Sequence, residues 1–157
     1  MEWSQVELTA HGTTEGTCAI IWPDGWYHAE RRVQILPSTV AKLTMYDSSF
    51  NAESLTEIQL LLDREDVRTL PSFEPVAMPP KAFAYYAFIV DIQRPEGPQH
   101  IGFEQLGRSE KEGYSRQDAR QDDKRSGMTL QPLLQWMQSE VDRAKPNPAG
   151  RADFCSY

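Results

Sequence analysis

A chain of 157 residues with a charged fraction of 25% and a formal net charge of −7 fits one globular domain with its own core. The acidic balance argues against a nucleic-acid backbone as partner and favours a neutral or basic protein surface. No run approaches the ~20 apolar residues of a membrane span, and Met1-Glu2-Trp3-Ser4 has neither the basic nor the apolar part of a signal peptide, which places the chain as written in the cytoplasm, and in a secreted or periplasmic setting only if a leader was removed.

Residues 5–10 alternate Val6, Leu8 and Ala10 with Gln5, Glu7 and Thr9, the pattern of a half-buried strand. His11-Gly12-Thr13-Thr14-Glu15-Gly16 reads as a loop, because glycine and small hydroxyl residues break regular structure. Residues 17–22 make a second strand and 26–35 a third, whose middle (Glu30-Arg31-Arg32) is polar. Pro23-Asp24-Gly25 between them is a hairpin turn. A short strand or extended piece over 40–45 follows Pro37-Ser38.

Asn51 is placed to cap a helix, with Phe50 and Leu55 at the positions of a hydrophobic staple. Leu55, Ile58, Leu61 and Leu62 recur at helical spacing. Residues 71–81 hold four prolines and serve as a connector. The longest apolar run, 82–92, reads as a central strand. Tyr86, Phe88, Val90 and Ile92 share one face, and Phe83, Tyr85, Ala87 and Ile89 the other. If the second face is open, Phe83, Tyr85 and Ile89 form an apolar stripe available for contact.

Residues 94–98 turn the chain into an antiparallel partner strand over 99–104. Residues 106–127 carry balanced charge and almost no apolar side chains, the composition of a long mobile loop. Thr129 is placed to cap a second helix, with Pro132 in its first turn and Leu133, Leu134, Met137 and Val141 on its apolar face. The order β-β-β-α-β-β-α predicts an α+β domain over 1–145: an antiparallel sheet of four to five strands with two helices on one face, followed by an irregular tail over 146–157.

Chemistry is sparse. His11, His28 and His100 are the only histidines, and none stands in a nucleophile motif. Asp63, Glu65 and Asp66 cluster without calcium-loop spacing. Gly12 and Gly16 lack the Lys-Ser/Thr of a phosphate loop. The reading is therefore non-enzymatic, with no catalytic residue, metal or cofactor. Cys18 and Cys155 read as a buried small residue and a tail thiol, the alternative being a disulfide that ties the tail to the early strands. Trp22 and Trp26, four residues apart across the turn, can point to one side with Tyr27 adjacent. Such aromatics either form a recognition hot spot or pack beneath the helices.

Five segments invite a family comparison. They are the opening Val6-Glu7-Leu8-Thr9-Ala10-His11-Gly12 with Gly16, the helix over 52–71, the strand entry Pro80-Lys81-Ala82-Phe83-Ala84-Tyr85-Tyr86, His100-Ile101-Gly102-Phe103, and Leu130-Gln131-Pro132-Leu133-Leu134-Gln135-Trp136-Met137. Together they resemble the emfourins, small protein inhibitors of protealysin and related thermolysin-like metalloproteases. The resemblance covers most of the domain at the level of pattern. This chain departs from it in the extra Pro23-Asp24-Gly25 hairpin, in the longer 106–127 segment, and in Gly12-Thr13 where the family has paired glycines.

The resemblance implies a loop, Gly12, Thr13, Thr14, Glu15 and Gly16, seated in a partner's cleft. Joined with Trp22, Trp26 and Tyr27 it gives the candidate binding surface, at one end of the sheet. The expected partner is another protein, a metalloprotease in the most specific form. The alternative is a structural or assembly subunit docking on a larger complex. A small hydrolase using Cys18 or a histidine is a third reading, which nothing in the residue spacing supports.

Overall fold

The computed structural model describes residues 2–8, 13–35, 37–74, 84–107 and 121–147. In chain order these form β1 (Glu2–Leu8), β2 (Thr13–Ile21), β3 (Trp26–Ile35), β4 (Lys42–Ser49), α1 (Ala52–Asp63), α2 (Glu65–Arg68), β5 (Ala84–Arg94), β6 (Gly97–Gly107) and α3 (Gln121–Arg143). The strands make one six-stranded sheet in the order β4-β3-β2-β1-β5-β6. Every neighbouring pair is antiparallel, as the α+β expectation required. β1 joins the β2–β3–β4 meander to the β5–β6 hairpin.

Side-chain alternation sorts the sheet into two faces. Pairing sets Ala19 and Ile21 of β2 opposite Ala29 and Tyr27 of β3, and Tyr46 of β4 opposite Ala29. Across β5 and β6, Phe88 pairs Phe103 and Val90 pairs Ile101. These residues form one core cluster with Ile58, Val67 and Leu70 from α1, α2 and the turn after them, and with Leu130, Leu133, Leu134, Trp136 and Met137 of α3. The helices thus lie on one face. At an order-of-magnitude rate of ~25 cal/mol per Å², each fully buried Leu or Phe of such a layer contributes about 1.5–3 kcal/mol.

Several polar contacts fix the helices on that layer. The Asn51 side chain accepts the Ser54 amide at 2.8 Å, the expected cap. The nearly buried Arg94 guanidinium donates to the Leu62 carbonyl at 2.8 Å, at the negative end of α1, and to Gln99 Oε1 at 2.6 Å. Trp136 Nε1 donates to Glu57 Oε2 at 3.0 Å, joining α3 to α1. Gly102 allows a close approach within the β5–β6 hairpin, because a Cβ there would stand 2.5 Å from the Phe88 carbonyl oxygen and 3.2 Å from Phe73 Cγ.

Two non-strand segments reach the outer strands. Phe73 donates its amide to the His100 carbonyl of β6 at 2.9 Å. After α3, Pro146 bridges Tyr46 of β4 and the Asn147 amide donates to the Met45 carbonyl at 2.7 Å.

The structure corrects the sequence reading at several points. There are six strands, because the piece expected over 40–45 is a full strand, β4. β5, expected at the centre, is one place in from the edge, and β1 and β2 hold the middle. α3 begins at Gln121, so Thr129 is not its cap and Pro132 lies mid-helix, where its missing N–H deprives the Met128 carbonyl of its donor. Residues 106–107 belong to β6 and 121–127 to α3, which shortens the expected loop from both ends. The middle of that loop lies outside the described residues, as do Ala82, Phe83 and positions 148–157 of the tail. The first tail residues, Pro146 and Asn147, are paired to β4. Cys18 is disulfide-bonded, against the free-thiol reading, and the only other cysteine in the sequence is Cys155.

Candidate functional site

The expected contact surface does not assemble in one place. Thr13, Thr14, Glu15 and Gly16 are strand residues of β2, paired with Ile35, Gln34, Val33 and Arg32 of β3. Thr14, Glu15 and Gly16 are also paired with β1 on the other side. Glu15 is an ion-pair partner of Arg31 at 2.5 Å. Gly16 is buried, and Gly12 lies outside the described residues. The Trp22–Trp26 turn follows Ile21 at the other end of β2, and Ile21 is eight residue steps from Thr13. At ~3.3 Å per step the separation is about 26 Å. Tyr27 is not a surface group: it is 5% exposed and stacks on Phe50 at 4.4 Å. Burial pushes its phenol above the ordinary value; a hydrogen bond with Ser48 opposes this, and the Glu140 and Asp47 carboxylates add to it.

What remains of the predicted site is a compact aromatic turn. Alternation puts Trp22 and Trp26 on the face opposite the helices, and their rings meet at 4.4 Å with a 46° tilt. Both are half-buried, while Pro23 and Asp24 are exposed. The turn is closed by Gly25 N–H to the Trp22 carbonyl (3.0 Å) and Trp22 N–H to the Trp26 carbonyl (2.9 Å). Asp24 Oδ1 accepts the Trp26 amide at 3.1 Å. Gly25 has φ +86°, and a Cβ there would lie 2.7 Å from Leu55 Cδ1. Its carbonyl accepts the Phe50 amide at 2.9 Å. The turn is therefore locked to the start of α1, and the indole pair is held before any partner arrives.

The face opposite the described helices also carries a polar chain that the sequence reading missed. Asn147 Nδ2 donates to Asp47 Oδ2 at 2.8 Å, Asp47 Oδ1 meets His28 Nδ1 at 2.6 Å, and His28 Nε2 meets Glu30 Oε1 at 3.0 Å. His28 and Glu30 are almost fully buried. Their i, i+2 spacing on a strand was the available signal, since it sets both on one face. Asp47 faces His28 through the β3–β4 register. Each imidazole nitrogen of His28 is engaged by a carboxylate, so neither is presented to a substrate as a base. The group ties β3, β4 and the segment after α3 together. His100 and Asp91 form a second, half-exposed pair at 2.7 Å.

Two of the three carboxylates suspected of cation binding, Asp63 and Asp66, are held by arginines instead. Asp63 meets Arg68 and Arg94 at 3.4 and 3.3 Å, and Arg64 reaches Asp66 at 2.5 Å. The hydrogen bond from Arg64 holds the Asp66 carboxyl below its usual range. No helix among the described residues is long and apolar enough to cross a membrane. No protein-family model matches the chain, and no curated protein or solved structure is significantly similar to it.

Proposed function

We propose that this chain is a non-enzymatic protein-binding domain that uses the Trp22–Trp26 hairpin as a rigid contact. The observation that carries the reading is the locked turn: two half-buried indoles in tilted contact and an exposed Pro23-Asp24 tip, fixed through Gly25 to α1. Trp is enriched at binding hot spots, and a preformed turn avoids the ordering cost of association. The resemblance to the emfourins makes a thermolysin-like metalloprotease the specific partner to try. In that form the hairpin, and not the 12–16 segment, would occupy the protease cleft. A disulfide on Cys18 supports an oxidising compartment over the cytoplasm.

The test is a panel of thermolysin-like proteases assayed with the purified protein. Saturable inhibition is expected, weakened about tenfold or more by Trp22→Ala with Trp26→Ala, the loss typical of a hot spot. Full protease activity at micromolar protein would sink the inhibitor reading. A second reading, an assembly subunit, is favoured by one observation: an ordered apolar tip at the other end of the sheet.

A further inference from the structure

On the face opposite the described helices, Cys18 of β2 and His28 and Glu30 of β3 are buried, although no described helix or strand lies over them. Side chains on an open sheet face stay in contact with water, so these three require a cover. The cover is narrow. On the same face of β3, Trp26 is half-buried on one side of His28 and Arg32 is exposed on the far side of Glu30. At ~3.3 Å per residue, His28 and Glu30 are about 7 Å apart, which is closer to the ~4.8 Å spacing of one extended chain than to the ~10 Å width of a helix.

The end of the chain can supply it. After α3 the Asn147 amide donates to the Met45 carbonyl at 2.7 Å, and the Asn147 side chain donates to Asp47, which faces His28. Met45, Glu30 and Cys18 stand opposite one another across β4, β3 and β2. A line from Asn147 to Cys18 therefore crosses Glu30. Cys18 is disulfide-bonded, and the one other cysteine of the chain is Cys155. The eight residue steps from Asn147 to Cys155 reach at most about 26–29 Å, more than twice the ~10 Å from β4 to β2.

We propose that residues 148–157 are a strap laid across β3, latched by a Cys18–Cys155 disulfide and released by a dithiol reductant. Cys18 is 4% exposed, so the first thiolate of the reductant attacks the Cys155 sulfur. The S–S bond breaks, and Cys18 leaves as a thiolate that takes up a proton. The second thiolate of the reductant then displaces Cys155 from the mixed disulfide, and Cys155 is protonated in turn. Two electrons have passed to the cysteine pair, and the reductant is left as its own disulfide. With the latch open, the strap stays anchored at Pro146 and Asn147 and lifts from His28 and Glu30. The face is thus sealed where disulfides persist and open where thiols are kept reduced. The strap does not depend on the Trp22–Trp26 hairpin binding a protein.

The full chain, purified without reductant, is digested with trypsin at neutral pH with and without dithiothreitol, and the products are read by mass spectrometry. The intact chain should be a monomer lighter than its dithiol form by two hydrogens. Dithiothreitol should speed cleavage after Arg151, within the strap, by about tenfold or more, because proteolysis follows the open population. Cleavage after Arg31, in the middle of β3, should not change. Cys155→Ser should be cut after Arg151 at the reduced rate whether or not dithiothreitol is present, and its Cys18 should react with iodoacetamide while the circular dichroism spectrum is unchanged. A disulfide-linked dimer, or wild-type cleavage after Arg151 indifferent to dithiothreitol, overturns the proposal. Equal acceleration after Arg31 would mean that reduction loosens the whole fold, and a Cys18 left unalkylated in Cys155→Ser would mean that another segment covers it. Either of these outcomes also overturns it.

Discussion

Gly25→Ala tests how the aromatic hairpin is held. The perturbation adds one methyl group where two separate costs meet. At φ +86° an L-residue sits in left-handed backbone, which costs about 1–2 kcal/mol. The new Cβ would lie 2.7 Å from Leu55 Cδ1, 3.1 Å from Cδ2 and 3.2 Å from Cγ, so the Leu55 side chain must leave its rotamer. That displacement costs a further ~0.5–1.5 kcal/mol. The sum is about 1.5–3.5 kcal/mol. With a urea slope of about 2 kcal/mol/M, the unfolding midpoint falls by about 0.8–1.8 M at unchanged slope.

Equilibrium urea unfolding followed by far-UV circular dichroism measures this without relying on the tryptophans themselves. Leu55→Ala separates the two costs. In the double variant the steric part is relieved, so the cycle should show a favourable coupling of about 0.5–1.5 kcal/mol. Gly97→Ala is the control: its φ is +130° and no atom lies within 4 Å of the added Cβ, so it carries backbone strain without a clash. A loss below about 0.5 kcal/mol for Gly25→Ala, the scatter of an ordinary surface substitution, would refute the claim that the turn is locked to α1.

His28→Leu should cost about 3–5 kcal/mol in the same assay, because it removes the imidazole that Glu30 and Asp47 share and sets an apolar side chain against both carboxylates. Adding Glu30→Met should recover part of that loss, and failure to recover any would mean that ring packing, not charge, holds the site. Tyr27 gives a pH prediction. Its phenol is raised, so the folded state favours the neutral form: stability is full below 10.0, the ordinary value, and falls as pH rises through the folded value. Tyr27→Phe should therefore flatten the fall in Tm above about pH 10, and it should cost about 1 kcal/mol at neutral pH through the lost Ser48 contact. An identical alkaline slope in both proteins would rule out Tyr27 as the source.

Local signals were readable in the sequence. Asp24-Gly25 marked the hairpin, Asn51 marked the helix start, and the spacing of Leu55, Ile58, Leu61 and Leu62 marked its buried face. The misreadings share a physical cause. Thr13 to Gly16 looked like a loop because their side chains are small and polar, yet a strand paired on one or both sides is held by its backbone and needs no apolar side chain. The first turns of α3 escaped for a similar reason. They approach β6 through small residues, with Ser126 buried and the Gly127 Cβ position 3.6 Å from Phe103 Cδ2, so no apolar period shows.

The His28 chain was out of reach because its members come from β3, β4 and Asn147, a full hundred residues beyond Asp47. Pairing the 12–16 segment with the Trp hairpin failed on topology alone. Successive antiparallel connections fall at alternate ends of a meander, and nothing in either motif reveals which end it occupies.

The segments that reach β4 and β6 have a consequence for how the molecule behaves in crowded solution. An open sheet ends in rows of unmet amides and carbonyls, and those rows are where strands of separate molecules zip together. Here each margin is stoppered by its own chain: the His100 carbonyl is taken by Phe73, and the Met45 carbonyl by Asn147. Pro146, at the β4 margin, has no N–H to offer an incoming strand. Trimming the chain ahead of Pro146 would unstopper β4, and the first symptom should be fibrillar or gel-like association at concentrations where the intact chain stays dispersed.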